Sequence, residues 1–286
     1  MNVYFVLFLQ SLMSSGTHLV AKVVVNDIDP VTLTVLRTCI ASGALFAIAR
    51  FRKTSFSFPR EDWQKLAMLG FLVIPLNQYL FLAGIKHTTA ANAALLYATT
   101  PALVLLISAI TGNEKLTPLK SLGVVTAFCG IVLVVFERGI DFRSDYTFGN
   151  LVICVSVVGW ALYSIHGKPL IMKHGAFRTS AATTMIGTFL FLPFGLYNAS
   201  HFNYEVLTSP DWAGLLYLAL IQSVLSYLLW YYALKRTDPS KAAIFNNLQP
   251  VMTTILAVVL LGQVVTHIFL LGGTRALAGV ILTQFG

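Results

Sequence analysis

The chain has 286 residues, of which 57% are hydrophobic and only 10% are charged, and its formal net charge is +8. A soluble domain of this size carries roughly 25% charged residues. Apolar runs of about 18 to 25 residues recur along the whole length, each long enough to cross a hydrocarbon layer of roughly 30 Å. The composition predicts an integral membrane protein, which excludes a separate soluble catalytic or nucleic-acid-binding domain.

The hydrophobic pattern predicts ten membrane spans, numbered here in chain order. Three of them begin with a capping oxygen followed by a proline, at Asp29-Pro30, Thr117-Pro118 and Asp238-Pro239, which is typical of helix N-termini. The predicted spans are approximately 2–25, 31–50, 64–85, 90–111, 119–136, 149–167, 179–198, 212–234, 241–261 and 267–285.

One segment of the chain occurs twice. Residues 63–136 align without a gap on residues 212–285, an offset of 149 positions, with 17 identities in 74. The alignment pairs Pro101 with Pro250, and it also pairs glycines of the two copies with each other. Each copy contains three predicted spans, so the sequence predicts two repeats of five helices, at residues 1–138 and 149–286.

Lys and Arg are distributed unequally between the two sides of the predicted bundle. Thirteen of the 19 lie in or beside the even-numbered loops, three lie in odd-numbered loops and three lie within spans. This bias places both termini in the cytoplasm. The loop after span 2 is basic, whereas its counterpart at residues 199–211 has no Lys or Arg. Because five spans is an odd number, the second repeat is predicted to be inverted, an architecture typical of secondary transporters whose site lies at the repeat interface.

The order and spacing of several short motifs resemble the drug/metabolite transporter superfamily, EamA-type, over essentially the whole chain. The first repeat contributes Gly16 through Lys22, Leu36-Arg37, Ala93-Ala94 with Thr100-Pro101, and the run from Gly112 to Pro118. The second contributes Gly159-Trp160-Ala161, Ala242-Ala243 with Gln249-Pro250, and Gly262-Gln263. The resemblance implies a cavity lined by helices 1, 3, 4, 6, 8 and 9. Gln263 departs from the family pattern, which usually has Glu there.

Pro101 and Pro250 stand in the middle of spans 4 and 9. A proline at such a place removes one backbone bond and frees the carbonyl four residues earlier, here that of Tyr97 and of Asn246. A freed carbonyl in lipid is costly unless it faces protein or water. Because both repeats have such a proline at the equivalent position, we favour the interpretation that the freed carbonyls belong to a polar cavity wall. The alternative is a structural kink whose freed carbonyl bonds to a neighbouring helix.

Polar and aromatic residues near the middle of the spans are the candidate substrate-binding residues. His18 and His166 are near-equivalents by the repeat and suit either substrate binding or packing. A mid-span polar residue can also serve only as a contact between helices. The full set of candidates is His18, Asn77, Tyr79, Tyr97, Thr100, His166, Trp230, Asn246, Asn247 and Gln249.

Two arginines are predicted to lie within spans. Arg37 has Asp27 and Asp29 nearby, which favours a structural ion pair. Arg275 lies centrally in span 10, where an arginine costs about 2.5 to 3.5 kcal/mol, so it is expected to face protein or water. All eleven acids fall in loops or at helix ends. A core that holds cations and histidines but no carboxylate suits an anion or a zwitterion better than a lipophilic cation.

Small residues recur with helical spacing in spans 5 and 10, in the stretches 123–130 and 272–279, and predict close helix packing. The sequence lacks phosphate-binding, nucleophile-elbow and metal-binding motifs. Because these motifs are absent, no enzyme activity or cofactor is expected. The three cysteines stand singly, so no disulfide or metal site is expected either.

The combined prediction is a transporter in the cell (inner) membrane. Its partners would be the lipid bilayer and a small polar metabolite such as an amino acid, with no nucleic acid, and it would work, in the direction of export, by alternating access between the repeats. A non-transporting sensor or scaffold is the alternative. Monomer and homodimer both stay open.

Overall fold

A computed structural model of the chain describes residues 2–111, 117–139, 144–236, 245 and 247–285. These residues form ten main helices. They are α1 Val3–Val24, α2 Pro30–Phe51, α3 Arg60–His87, α4 Ala90–Ile110, α5 Pro118–Val135, α6 Asp145–His174, α7 Ala176–His201, α8 Ser209–Leu234, α9 Leu248–Leu261 and α10 His267–Phe285. The first eight are long and apolar enough to cross a membrane, and α9 and α10 are shorter apolar helices.

Most helix ends lie within about four residues of the predicted ones, and α6 is the main exception. It was predicted to span 149–167 but extends to His174 and ends at Gly175, whose φ is +86°. The helix passes through Pro169, which is exposed. At an exposed helix end water can replace the one backbone bond that a proline removes. The start predicted for helix 9 lies outside the described residues.

Two helices contain an unpredicted π-helical segment, and the two segments overlap under the repeat. In α3 the segment is Leu72–Tyr79, and in α8 it is Tyr217–Ser226. Pro75 lies inside the first, whereas the second contains no proline. Because both repeats widen the helix at an equivalent place, a local proline effect does not explain the feature. π-Helical turns are frequent at functional sites.

The small-residue faces predicted for close helix packing lie on α5 and α10, and the structure shows that they pack against each other. A Cβ added to Gly130 would lie 2.4 Å from the backbone nitrogen of Ala276, and one added to Gly279 would lie 2.3 Å from that of Ala127. These distances leave no room for a side chain. Helices α5 and α10, one from each repeat, therefore meet backbone to backbone.

Two polar clusters join the repeats at opposite ends of the helices. At the start of α3, the Asp62 carboxylate accepts from Lys173 Nζ at 2.8 Å and contacts His174 Nε2 at 2.7 Å. At the other end, Glu137 accepts from Asn92 Nδ2 at 3.2 Å, from Tyr146 Oη at 2.5 Å and from the Thr266 hydroxyl. We refer to Asn92, Glu137, Tyr146 and Thr266 as the Glu137 cluster.

Candidate functional site

A cavity lies between the two repeats. It encloses about 650 Å³ of space between atoms, a volume that includes open solvent at its mouth. Both repeats contribute to it, through helices α1 to α4 and α6, α8 and α9. The residues that line it are Gln10, Ser14, Thr17, His18, Arg37, Asn77, Gln78, Phe81, Tyr97, Thr100, Trp160, Gln222, Tyr227, Trp230 and Gln249.

Helix α1 presents one polar face to this cavity. Gln10, Ser14, Thr17 and His18 are spaced so that they fall on the same side of a helix. Gln10 Nε2 donates to Ser14 Oγ at 2.9 Å, and Thr17 Oγ1 donates to Gln222 Oε1 at 2.9 Å. The second of these bonds joins α1 of the first repeat to α8 of the second.

His18 is buried in this face. Its Nδ1 lies 2.9 Å from the Ser14 carbonyl oxygen. Because a carbonyl oxygen only accepts, Nδ1 carries the proton, and Nε2 of the neutral ring is the acceptor. The ring meets Phe81 and Tyr97 edge-on, with centroids 5.5 and 5.8 Å away. These contacts fix the orientation of the imidazole at the cavity wall.

Asn77 connects three helices. From the π-helical segment of α3, its Nδ2 donates to Tyr97 Oη on α4 at 2.6 Å and to the Ser156 carbonyl oxygen on α6 at 2.9 Å. The Tyr97 and Ser156 hydroxyls also bond to each other. Asn77 therefore positions Tyr97 as well as lining the cavity.

Arg37 differs from its prediction. Instead of forming an ion pair with Asp27 or Asp29, it is 2% exposed and lines the cavity, and its Nη2 donates to Ser223 Oγ on α8 at 2.9 Å. Asp29 accepts from the backbone nitrogens of Val31 and Thr32, each at 3.0 Å, as the N-cap of α2. The helix start thus uses this carboxylate, two turns away from the arginine.

Several buried polar atoms of the lining residues have no hydrogen-bond partner within the described part of the chain. Two are donors, Arg37 Nε and Trp230 Nε1, and two are acceptors, Gln10 Oε1 and Gln78 Oε1. Buried polar atoms in folded proteins are usually hydrogen-bonded. Water or a ligand in the cavity can pair with such atoms.

Six of the ten predicted site residues line the cavity: His18, Asn77, Tyr97, Thr100, Trp230 and Gln249. Tyr79, one position past Gln78 on α3, packs against Phe191 instead, with ring centroids 5.4 Å apart. Asn247, the N-cap of α9, is half-buried outside the lining. Asn246 lies outside the described residues.

His166 is exposed on α6 and does not line the cavity. It lies six residues after Trp160, which does line it, and six residues turn a helix by about 240° beyond one full rotation. The near-equivalence of His18 and His166 in the repeat thus does not extend to their surroundings.

In the first repeat, the carbonyl oxygen freed by Pro101 is hydrogen-bonded within α4 itself. The helix is interrupted at Thr99, and the Tyr97 carbonyl oxygen accepts from the Thr100 hydroxyl at 2.6 Å. The backbone group is therefore satisfied within its own helix, while the side chain of Tyr97 contributes to the cavity. The corresponding Asn246 carbonyl lies in the part of the chain that is not described.

Arg275 is exposed on α10, so its expected packing against another helix is not observed. The small-residue face of α10 packs on α5 through Gly272, Ala276 and Gly279. Arg275 precedes Ala276 in the chain, and it is not among the residues that line the cavity.

The lining includes residues that the prediction missed. On α1 the signal was present in the spacing of Gln10, Ser14 and Thr17, three polar residues on one face of an apolar helix. Trp160 belongs to the motif Gly159-Trp160-Ala161, but the prediction gave its side chain no role in the cavity. Arg37 was recognised as an intramembrane charge, and the nearby acids in the sequence suggested the wrong partner.

Comparison with known proteins assigns the fold to a family. The profile of the EamA-like transporter family matches twice, at residues 1–136 and 147–285. The chain belongs to this family. The two matches coincide with the two halves that surround the cavity, and the family consists of membrane transporters, not enzymes.

Three similar proteins cover between 78% and 98% of the chain. An "Uncharacterized transporter" of Archaeoglobus fulgidus is 30% identical over 98% of this chain and 96% of its own length. A "Probable amino-acid metabolite efflux pump" of Salmonella typhimurium is 28% identical over 93% and 89%. A "Probable terminal-alkyne amino-acid exporter" of Streptantibioticus cattleyicolor is 27% identical over 78% and 73%.

A solved structure shares the fold. A crystal structure of a protein at 20% sequence identity superposes with a TM-score of 0.69 and covers 98% of this chain and 95% of that one. The EamA protein described here is therefore a multi-pass membrane protein of two EamA repeats with a cavity between them.

Proposed function

We propose that this EamA protein is a secondary transporter that exports a small polar metabolite, with amino acids as the first candidates, by alternating access between inverted repeats. The observation that carries the proposal is the cavity, because both repeats line it and its buried polar atoms are incompletely paired. A site at the interface between repeats is accessible from alternate sides when one repeat rocks against the other.

The names of two relatives support the substrate class. One is called a probable amino-acid metabolite efflux pump and the other a probable terminal-alkyne amino-acid exporter. Amide groups, hydroxyls and one arginine in the cavity suit a small polar or zwitterionic solute. Aromatic rings in the same wall suit an apolar side chain of such a solute.

Counterflow in proteoliposomes tests this function. Purified protein is first screened against a panel of amino acids and related metabolites for thermal stabilisation. Vesicles loaded with each stabilising compound are then tested for uptake of the labelled compound from outside. Counterflow of at least one such metabolite supports the proposal. Binding without counterflow for every ligand would instead favour the sensor or scaffold function.

The orientation of the repeats forms part of the proposal. With both termini in the cytoplasm, Lys53 after α2 lies inside and Asn203 after α7 lies outside. A cysteine at each position, in a variant with Cys39, Cys129 and Cys154 replaced by alanine, can be labelled in intact cells with a membrane-impermeant maleimide. We expect labelling at position 203 only. Labelling of both positions, or of neither, would contradict the inverted arrangement.

A further inference from the structure

The guanidinium of Arg37 is a buried cation without a counter-ion among the described residues. Its Nη2 donates to Ser223 Oγ at 2.9 Å, which is a neutral hydroxyl. Ser223 also donates to the Leu218 carbonyl oxygen at 2.9 Å. None of the described residues that line the cavity is acidic, and Arg37 Nε has no partner. The net charge that the lining presents is therefore positive.

An uncompensated buried charge destabilises a protein strongly. Arginine stays charged in proteins, so deprotonation does not relieve that cost. A guanidinium presents several donors in one plane, and a carboxylate accepts two of them in parallel. The group that best completes the environment of Arg37 is thus a carboxylate supplied by the ligand.

The rest of the cavity lining indicates the kind of group to which the carboxylate of the ligand is attached. Aromatic side chains make up a third of the lining: Phe81, Tyr97, Trp160, Tyr227 and Trp230. The Trp160 and Tyr227 rings lie 5.2 Å apart, so they form a continuous apolar wall between α6 and α8. Such a wall accommodates an apolar or aromatic body.

An ammonium group on the ligand would meet only neutral acceptors. Gln78 donates from Nε2 to Tyr227 Oη at 3.4 Å, and within the described part of the chain neither Gln78 Oε1 nor Gln10 Oε1 has a partner. Amide oxygens accept hydrogen bonds from an ammonium, but they cannot neutralise it as a carboxylate would. The cavity therefore favours the anionic end of an amino acid over its cationic end.

We infer that Arg37 is the carboxylate anchor of the cavity, and that its ligands are monocarboxylates with an apolar body for which an ammonium group is optional. This inference rests on the proposed transport function and narrows its substrate class. It also gives Arg37 a role in binding that its position in the sequence, close to two acids, did not predict.

Four aromatic probes that differ only in their charged groups test the inference. L-Phenylalanine carries both groups, 3-phenylpropionate only the carboxylate, and L-phenylalaninamide and 2-phenylethylamine only the cation. We expect the first two to raise the thermal unfolding temperature of the purified protein, and the last two to leave it unchanged. Stabilisation by the cations alone, or by neither carboxylate, overturns the inference.

Variants of Arg37 then assign the effect to this residue. Arg37→Gln should weaken carboxylate binding on the order of 10- to 100-fold, as expected for the loss of a hydrogen bond between charged groups. Arg37→Lys keeps the charge without the planar donor pair, so it should bind with intermediate affinity. Arg275→Gln removes the other intramembrane arginine, which is exposed on α10, and should bind as the wild type does.

The outcomes separate the inference from the function on which it rests. If the wild type catalyses counterflow of a cationic amine, and Arg37→Gln does so equally, the inference fails while the transport function stands. If carboxylates bind through Arg37 but no metabolite undergoes counterflow, the transport function fails. Should Arg37→Gln not fold, Arg37→Lys provides the comparison, and unchanged carboxylate affinity in that variant counts against a planar anchor.

Discussion

The central cavity and the Glu137 cluster are both polar and half-enclosed, and they differ in how completely their hydrogen bonds are made. In the Glu137 cluster, one carboxylate accepts from three donors on α4, α6 and the segment before α10. In the cavity, buried donors and acceptors on four lining residues have no partner within the described ranges. Polar groups that the protein satisfies itself stabilise the fold, whereas those left open are available to a ligand. This difference predicts opposite effects of mutation.

The largest effect is expected in the cluster. Glu137→Ala leaves Asn92, Tyr146 and Thr266 without their shared acceptor, and an unmade hydrogen bond to a charged group costs about 1.5 to 3 kcal/mol. We expect the free energy of unfolding to fall by about 3 kcal/mol, measured as a lower thermal unfolding temperature. Glu137→Gln retains an acceptor oxygen and should lose less. A Glu137→Ala variant as stable as the wild type would contradict the conclusion that the Glu137 cluster stabilises the fold.

A change of opposite sign is expected at Arg37. Arg37→Met replaces a buried charge with an apolar side chain of similar length, which removes the cost of burying that charge. The Ser223 hydroxyl keeps its bond to the Leu218 carbonyl oxygen. We expect the empty protein to unfold at a higher temperature, while stabilisation by a carboxylate is lost. A lower unfolding temperature would show that Arg37 serves the fold.

Asn77 belongs to both kinds of site, so its effect should be intermediate. Asn77→Ala removes the amide that holds Tyr97 and Ser156, but the hydroxyls of these two residues still bond to each other. We expect a loss of about 1 kcal/mol in unfolding free energy. The double variant with Tyr97→Phe should show coupling between the two positions. Strictly additive losses would mean that Asn77 does not position the tyrosine.

The smallest effect on stability is expected at Gln78. Its Oε1 has no partner in the described structure, and its Nε2 makes one long bond of 3.4 Å. Gln78→Met preserves the volume, so the free energy of unfolding should change by less than about 0.5 kcal/mol. Affinity for L-phenylalanine should fall several-fold, and affinity for 3-phenylpropionate should not. Equal losses for both probes would argue against an ammonium contact at Gln78.

The sequence was sufficient to predict the ten helices and the duplication, because both follow from hydropathy and from the spacing of proline and glycine. It was also sufficient for much of the first-repeat wall, including Asn77, Tyr97 and His18. Mid-span polarity is informative there because lipid rejects unsatisfied polar groups. Mid-span polarity did not distinguish Tyr79 and His166 from the residues that line the cavity. It indicates the depth of a residue in the membrane but not the side of the helix that the residue faces.

The remaining features depend on long-range contacts that no local pattern encodes. The π-helical segments change the facing of Asn77 and Gln78 in α3 and of Gln222 in α8, and only the first contains a proline. The partner of Arg37 is Ser223, 186 positions away. Proximity in sequence favoured Asp29, which the N-terminus of α2 already uses.

The contact between α5 and α10 has a consequence for motion. Their backbones touch through Gly130 and Gly279, so no layer of side chains lies between them on which one helix could slide past the other. One of these helices comes from each half of the duplicated chain. We therefore expect this helix pair to stay in contact while other helices move, if the proposed alternating access takes place.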